Sequence, residues 1–253
     1  MTVYEQPLNE RIRAMLRLEY LFERAAYRLE GTSVWDSRAS LEAILDILAL
    51  LTRADLKAEI IKELERHAVT LEALRGNRGV DGERLDQILD EVRRPLLALR
   101  AVDNVPGSEL RQNDLLSTVR QRSSIPAGTC GFDVPAYQHW LERPPEKRIG
   151  QLAAWLGAFD LVREAIGLSL RLIRESARAS REMAAAGFYQ RTIDPSVPYQ
   201  MIRVVVPAAA PWFPEISGGR HRFTVRFMAG NGTEARPTQV SEDVEFELQC
   251  CAM

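Results

Sequence analysis

Cysteine and histidine are scarce in this chain, with three of each among 253 residues. Cys130, Cys250 and Cys251 show no CxxC or other metal-like spacing, and neighbours on a strand point to opposite faces, so neither a zinc site nor a disulfide framework is expected. Free thiols in a reducing compartment fit that usage. His67, His139 and His221 lie far apart, and the HExxH, G-x-S-x-G and dinucleotide fingerprints are all missing. Cys130 and His139 have no third, orienting residue, which favours a structural cysteine over a thiol nucleophile. No enzyme is therefore expected, and no catalytic residue, cofactor or metal ligand is assigned. An excess of one charge is lacking too: 33 Lys and Arg stand against 35 Asp and Glu, a formal net charge of -2. Nothing in that balance recruits nucleic acid or acidic lipid, and any basic surface must be local. No window approaches the roughly 18 apolar residues of a membrane span, and the opening MTVYEQPLNERIRAML has no apolar signal core. A cytoplasmic protein with no membrane attachment is expected.

What the chain does contain is apolar content of 46%, enough for real cores, arranged first in helical period. A short extended piece, Thr2 to Gln6, precedes a helix from about Asn9, its cap, to Leu29; Leu18, Leu21, Phe22, Ala25 and Leu29 recur on one side. Helical period continues over Ser37 to Leu51 and Ala54 to Leu74, with Thr52 and Arg53 at the junction. Arg53 projects from a helix end, a place suited either to a contact or to capping carbonyls. Gly76, Gly79 and Gly82 are spaced like a phosphate loop, yet no strand precedes them and the Walker Lys-Ser/Thr is absent, so a helix-helix turn is expected. Further helices are expected over about Gly82 to Leu99, where Pro95 should kink or split the run, and over Ser108 to Gln121.

At Ser123 the pattern changes: SSIPAGTCGFDVP, with two prolines and two glycines, suits an extended segment that returns to a sheet. A short helix with Trp140 follows, then a long helical region over about Lys147 to Ala186. From Gly187 the period shortens to two, giving strands in GFYQR, QMIRVVVP, RHRFTVRFM and DVEFELQC. The expected fold is thus α+β and mostly α: a helical domain over residues 8–122 and 134–186, and a mainly antiparallel sheet domain from residues 1–7, 123–133 and 187–253.

The segment RHRFTVRFM carries the sharpest signal. Arg220, Arg222, Thr224, Arg226 and Met228 fall on one face of the strand, His221, Phe223, Val225 and Phe227 on the other. A cationic face could hold an acidic peptide, sit on phosphates, or be neutralised by a neighbouring strand. DVEFELQC supplies Asp243, Glu245 and Glu247 for that last alternative, through cross-strand pairs of at most about 1 kcal/mol each. A nucleic-acid module remains the alternative function, although interleaved exposed aromatics are lacking.

The blocks YEQPLNERIRAMLRLEYLF, KELERHAVTLEAL, VRQRSSIPAGTCGFDVPAYQHWL, GFYQ, FPEISGGRHRFTVRFM and FELQCC, in this order along nearly the whole chain, resemble the ZapD family of bacterial cell-division factors. The resemblance implies a cytosolic, non-enzymatic homodimer, acting at the midcell division site. It also implies binding to the C-terminal tail of the tubulin-like protein FtsZ, bundling of its protofilaments in the Z-ring and lowered GTPase activity. The family's basic tail-binding surface corresponds here to Arg222 and Arg226, flanked by Arg220, together with Arg53. Arg17, in the LRLE block, corresponds to a charged central region. The chain departs from the family pattern in PWFPEISGG, in Arg220 and His221, and in Ala252 and Met253 after the paired cysteines.

Overall fold

A computed structural model of the protein describes residues 1–52, 55–219, 221–230 and 236–253. The chain forms two compact units, residues 14–169 and residues 1–13 with 170–253. The chain class is α+β, predominantly helical, with antiparallel strands from the C-terminal part and the N-terminus.

In the first unit the helices follow the apolar spacing. Helix α1 (Glu10–Leu29) starts where the Asn9 side chain accepts the Ile12 N–H at 2.9 Å, and from Met15 onward it buries Met15, Leu18, Phe22 and Ala25. Helix α2 (Val34–Leu51) opens on a reciprocal capping box between Ser33 and Asp36, which satisfies two amide donors that a helix start leaves unpaired. It is buried on most of its circumference, through residues such as Leu41, Ile44, Leu45, Ile47 and Leu48, and so forms the centre of the unit. Helices α3 (Leu56–Glu72) and α4 (Gly82–Ala101) pack side by side across the glycine-containing turn. Helix α4 is one element through Pro95, so the proline does not split it. A single 3₁₀ turn (Ser108–Gln112) leads into α5 (Asp114–Arg122), followed by α6 (Pro135–Leu141), α7 (Pro145–Gly157) and α8 (Asp160–Glu175), the last of which passes into the second unit at Leu170.

One buried cation organises this unit. Arg148 on α7 is 4% exposed, and its guanidinium donates to Ser37 Oγ at 3.0 Å, to the carbonyl oxygens of Leu141 at 3.0 Å and Thr32 at 2.8 Å, and to that of Arg143. The acceptors at Leu141 and Arg143 are carbonyls at the end of α6, where the helix dipole favours a positive charge.

Two expectations are corrected here. Residues 123–133 do not return to a sheet. They coil through successive turns, with Ile125 N–H bonded to Arg122 O, Gly128 to Ile125, and Cys130 to Ala127, and they belong to the helical unit. Prolines and glycines mark a departure from helix, but tight turns use them as readily as extended chain does. Helix also does not extend to Ala186: α8 ends at Glu175 and Ala179–Ala184 form a strand, β2.

The second unit is built from two four-stranded sheets. The first contains β1 (Thr2–Pro7), β4 (Tyr199–Val206), β8 (Val244–Ala252) and β2, in the order β1-β4-β8-β2. The second contains β3 (Phe188–Thr192), β6 (Arg222–Ala229) and β5 (Trp212–Gly218), in the order β3-β6-β5, with the short β7 (Thr238–Gln239) also paired to β6. All pairings are antiparallel. Ile202, Val204, Phe246 and Leu248 of one sheet meet Phe223, Val225 and Phe227 of the other in a common core, with the Phe227 and Phe246 rings 5.1 Å apart. Face-to-face packing of sheets explains why β4, β6 and β8 read as alternating or fully apolar strands.

The opposite face of the first sheet is held by charge. Glu5, Arg203 and Gln249 form a row across β1, β4 and β8. Arg174 of α8 grips Glu5 with two hydrogen bonds of 2.9 and 2.8 Å, while Arg203 adds a third at 2.9 Å and reaches Gln249 at 2.6 Å. Among the described residues no helix is long and apolar enough to cross a membrane.

Candidate functional site

Strand β6 places its side chains as its alternation predicts. Phe223, Val225 and Phe227 are 1%, 0% and 0% exposed, whereas Arg222 and Arg226 are exposed. The buried aromatic row fixes which face turns outward, because a slip of one residue would bury both arginines and expose both phenylalanines. Thr224 and Met228 lie between and beyond the arginines, half-buried.

Register supplies their neighbours. On β3, Thr192, Gln190 and Phe188 stand opposite Arg222, Thr224 and Arg226. On β5, Ser217, Glu215 and Phe213 stand opposite Thr224, Arg226 and Met228. The Arg226 guanidinium lies over the Phe188 ring at 6.0 Å from its centroid, a cation–π contact that steadies a planar cation without neutralising it. Glu215 is opposite Arg226 in register, yet among the described residues neither Arg222 nor Arg226 forms an ion pair within 4.0 Å. The outward face thus offers two cationic forks on a rigid strand, with Phe188, Phe213 and Met228 as apolar flanks.

The alternative in which this strand pairs with DVEFELQC is not the one the structure adopts. β8 lies in the other sheet, and Glu247 and Glu245 stand opposite Arg181 and Met183 of β2. β8 meets β6 across the core, through Phe246 and Phe227, rather than edge to edge. Apolar matching between faces outweighs the small gain of exposed charge pairs.

Of the other candidate residues, Arg17 is exposed on α1 in the helical unit, so the two units carry separate basic features. Arg53 and Arg220 lie outside the described residues. Cys130 donates its thiol proton to Asp133 within its own turn, at 3.2 Å, which is a local structural bond. The thiols of Cys250 and Cys251 are pushed up by burial, that of Cys251 to about 12, and neither is an activated nucleophile.

Comparison with known proteins now bears on this surface. The family model described as "ZapD: Cell division protein" matches residues 16–226, from the first helix to the second arginine of β6. The chain belongs to the ZapD family. One member, named cell division protein ZapD, from Methylococcus capsulatus, is 43% identical over 251 residues, covering 99% of this chain and 98% of that protein. Membership in the ZapD family supports a role in cell division. For this ZapD family member the sequence missed what lies beside the arginines. Phe188 and Phe213 are visible as residues of strand-like stretches, but their place beside β6 depends on register, which a single sequence does not display.

Proposed function

We propose that the protein binds the C-terminal tail of FtsZ through the outward face of β6 and, as a homodimer, crosslinks and bundles FtsZ protofilaments. In this reading it acts in the cytoplasm at midcell, promotes Z-ring assembly and lowers FtsZ GTPase activity without chemistry of its own. The observation that carries the reading is the pair of exposed guanidiniums of Arg222 and Arg226, neither in an ion pair among the described residues, with Phe188, Phe213 and Met228 at the Arg226 end. A guanidinium presents a planar fork of donors to a carboxylate, so two of them orient an acidic segment as well as attract it. Apolar flanks add contact area for the side chains between the charges. A single such site binds weakly. A dimer carries two, and a filament displays many tails, so avidity multiplies by roughly 10²- to 10⁴-fold where both sites engage.

Arg53 and Arg220, which lie outside the described residues, are further tail contacts in this proposal, and Arg17 belongs to a charged central region rather than to the tail site. The test is charge reversal. Arg222→Glu with Arg226→Glu is expected to abolish bundling, seen by light scattering and electron microscopy, while size-exclusion chromatography and circular dichroism remain those of the wild type. Bundling that survives the double reversal in a folded dimer contradicts the proposal.

A further inference from the structure

Three aromatic side chains of the helical unit stand in water: Phe132, Trp35 and Tyr27 are 86%, 77% and 68% exposed. A chain of contacts joins them. The Arg28 guanidinium lies over the neighbouring Tyr27 ring at 5.6 Å and pairs with Asp36 at 3.2 Å. Arg38 lies over Trp35 at 5.5 Å and over the buried Tyr137 ring at 4.9 Å, and it donates to Thr129 O at 3.2 Å, three residues before Phe132. The capping box of Ser33 and Asp36 fixes the start of α2 beside them. At these exposures the three rings present about 450 Å² of largely apolar surface, a little over half of what one side of a standard protein interface covers. Aromatic rings set among arginines are also the composition of interface centres.

Charge along α2 indicates what covers this surface. The outward stripe of the helix runs through Trp35, Arg38, Glu42 and Asp46, spaced by three and four residues. One end is cationic and the other acidic. Arg38 is in no ion pair among the described residues; its contacts are the two rings and the Thr129 carbonyl. Glu42 and Asp46 share a single cation, Arg24, at 3.4 and 3.8 Å, and both line an open groove of about 620 Å³ that extends to Ile125 and Thr129. Arg38 and Asp46 are about 12 Å apart along the axis, eight residues at the helical rise. Two such stripes side by side in parallel would set like charge against like. Run antiparallel, each places Arg38 against the acidic end of the other, and a two-fold axis across the helix generates that arrangement.

We infer that this face is where two copies of the chain meet, with their α2 helices antiparallel and Trp35, Phe132 and Tyr27 as the apolar anchors. The inference rests on the homodimer of the proposed function and adds to it the surface that forms the dimer. Burial of the rings supplies the affinity. The charge order along α2 sets the orientation, since only the antiparallel pairing gives Arg38 a carboxylate partner.

The experiment is sedimentation velocity on the full chain, with light scattering for mass. The wild type is expected to run at twice the chain mass of 28.6 kDa. Trp35→Glu with Phe132→Glu changes two exposed positions, and this variant is expected to run at 28.6 kDa with an unchanged circular dichroism spectrum and to lose bundling of FtsZ. A folded variant that stays dimeric overturns the inference and leaves the homodimer and tail readings intact; if that dimer no longer bundles, the face meets the filament instead of a second copy. A wild type that runs at 28.6 kDa at every concentration overturns the interface and the homodimer together. A charge exchange decides the matter without the double variant, should that fail to fold. Arg38→Glu alone and Asp46→Arg alone are each expected to raise the dimer dissociation constant at least about tenfold, because like charges then face each other at both ends. An equimolar mixture of the two is expected to recover a dimer, in which opposite charges face at both ends. A mixture no more dimeric than either variant alone overturns the inference.

Discussion

Replacing Glu5 by Gln removes the charge at the centre of the Arg174–Glu5–Arg203 cluster while keeping the side chain's shape. Glu5 and Arg203 side chains are each 19% exposed and Arg174 is 26% exposed, so the three groups are largely out of water. The variant keeps one acceptor oxygen where the carboxylate serves two donors of Arg174 and one of Arg203. Breaking a fully buried ion pair costs about 3–5 kcal/mol; the remaining access of water to both guanidiniums reduces this to about 2–3 kcal/mol. For a protein of this size that corresponds to a fall in Tm of about 5–10 °C.

The pH dependence follows from the same contacts. Burial pushes the Glu5 carboxyl up, but the two guanidiniums outweigh burial and hold it below its ordinary 4.5. A carboxyl with a depressed folded-state pKa stabilises the fold fully above the unfolded value, and the contribution fades as pH falls through the folded value. The Tm gap between wild type and Glu5→Gln should be complete near pH 7 and should narrow below about pH 4.5, toward zero once Glu5 is protonated in the folded state. Thermal unfolding followed by circular dichroism at both ends of that range measures it. A gap under about 2 °C at neutral pH, or one as wide in acid as at neutrality, would refute the reasoning.

Other parts of the structure make similar demands. Arg148→Lys is expected to cost about 2–3 kcal/mol in denaturant unfolding, since an ammonium cannot reach Ser37 and the Thr32, Leu141 and Arg143 carbonyls together. Gly187 has φ +71° and a Cβ there would come within 2.5 Å of Val240 O, so Gly187→Ala should lower Tm by several degrees, about 2 kcal/mol or more. Phe188→Ala leaves the fold unchanged but removes the ring beneath Arg226, and is expected to weaken tail binding about two- to fivefold, the equivalent of about 0.5–1 kcal/mol.

How much of the fold is legible in the sequence differs from element to element. The outward arginines of β6 are legible because Phe223, Val225 and Phe227 alternate with them strictly, and period two has one physical meaning. Strand β2, ASREMA, is not legible: Ala, Arg, Glu and Met favour helix, and the segment is extended because it pairs with β8 at the edge of a sheet. Strand β5 contains Pro214 and ends in Gly218, which argues against a central strand, but it lies at the edge of its sheet, where a missing N–H is tolerated. The partners of β6, β3 and β5, depend on tertiary packing, which local charge does not determine.

The central question is whether the arginine face holds an acidic tail. Sedimentation of FtsZ filaments with this protein, comparing full-length FtsZ with a form lacking its C-terminal tail over a salt series, addresses that most directly. Co-sedimentation and bundling are expected to require the tail and to decline as salt screens the guanidiniums. Equal bundling of tailless filaments, or no bundling of full-length filaments at low salt, would contradict it.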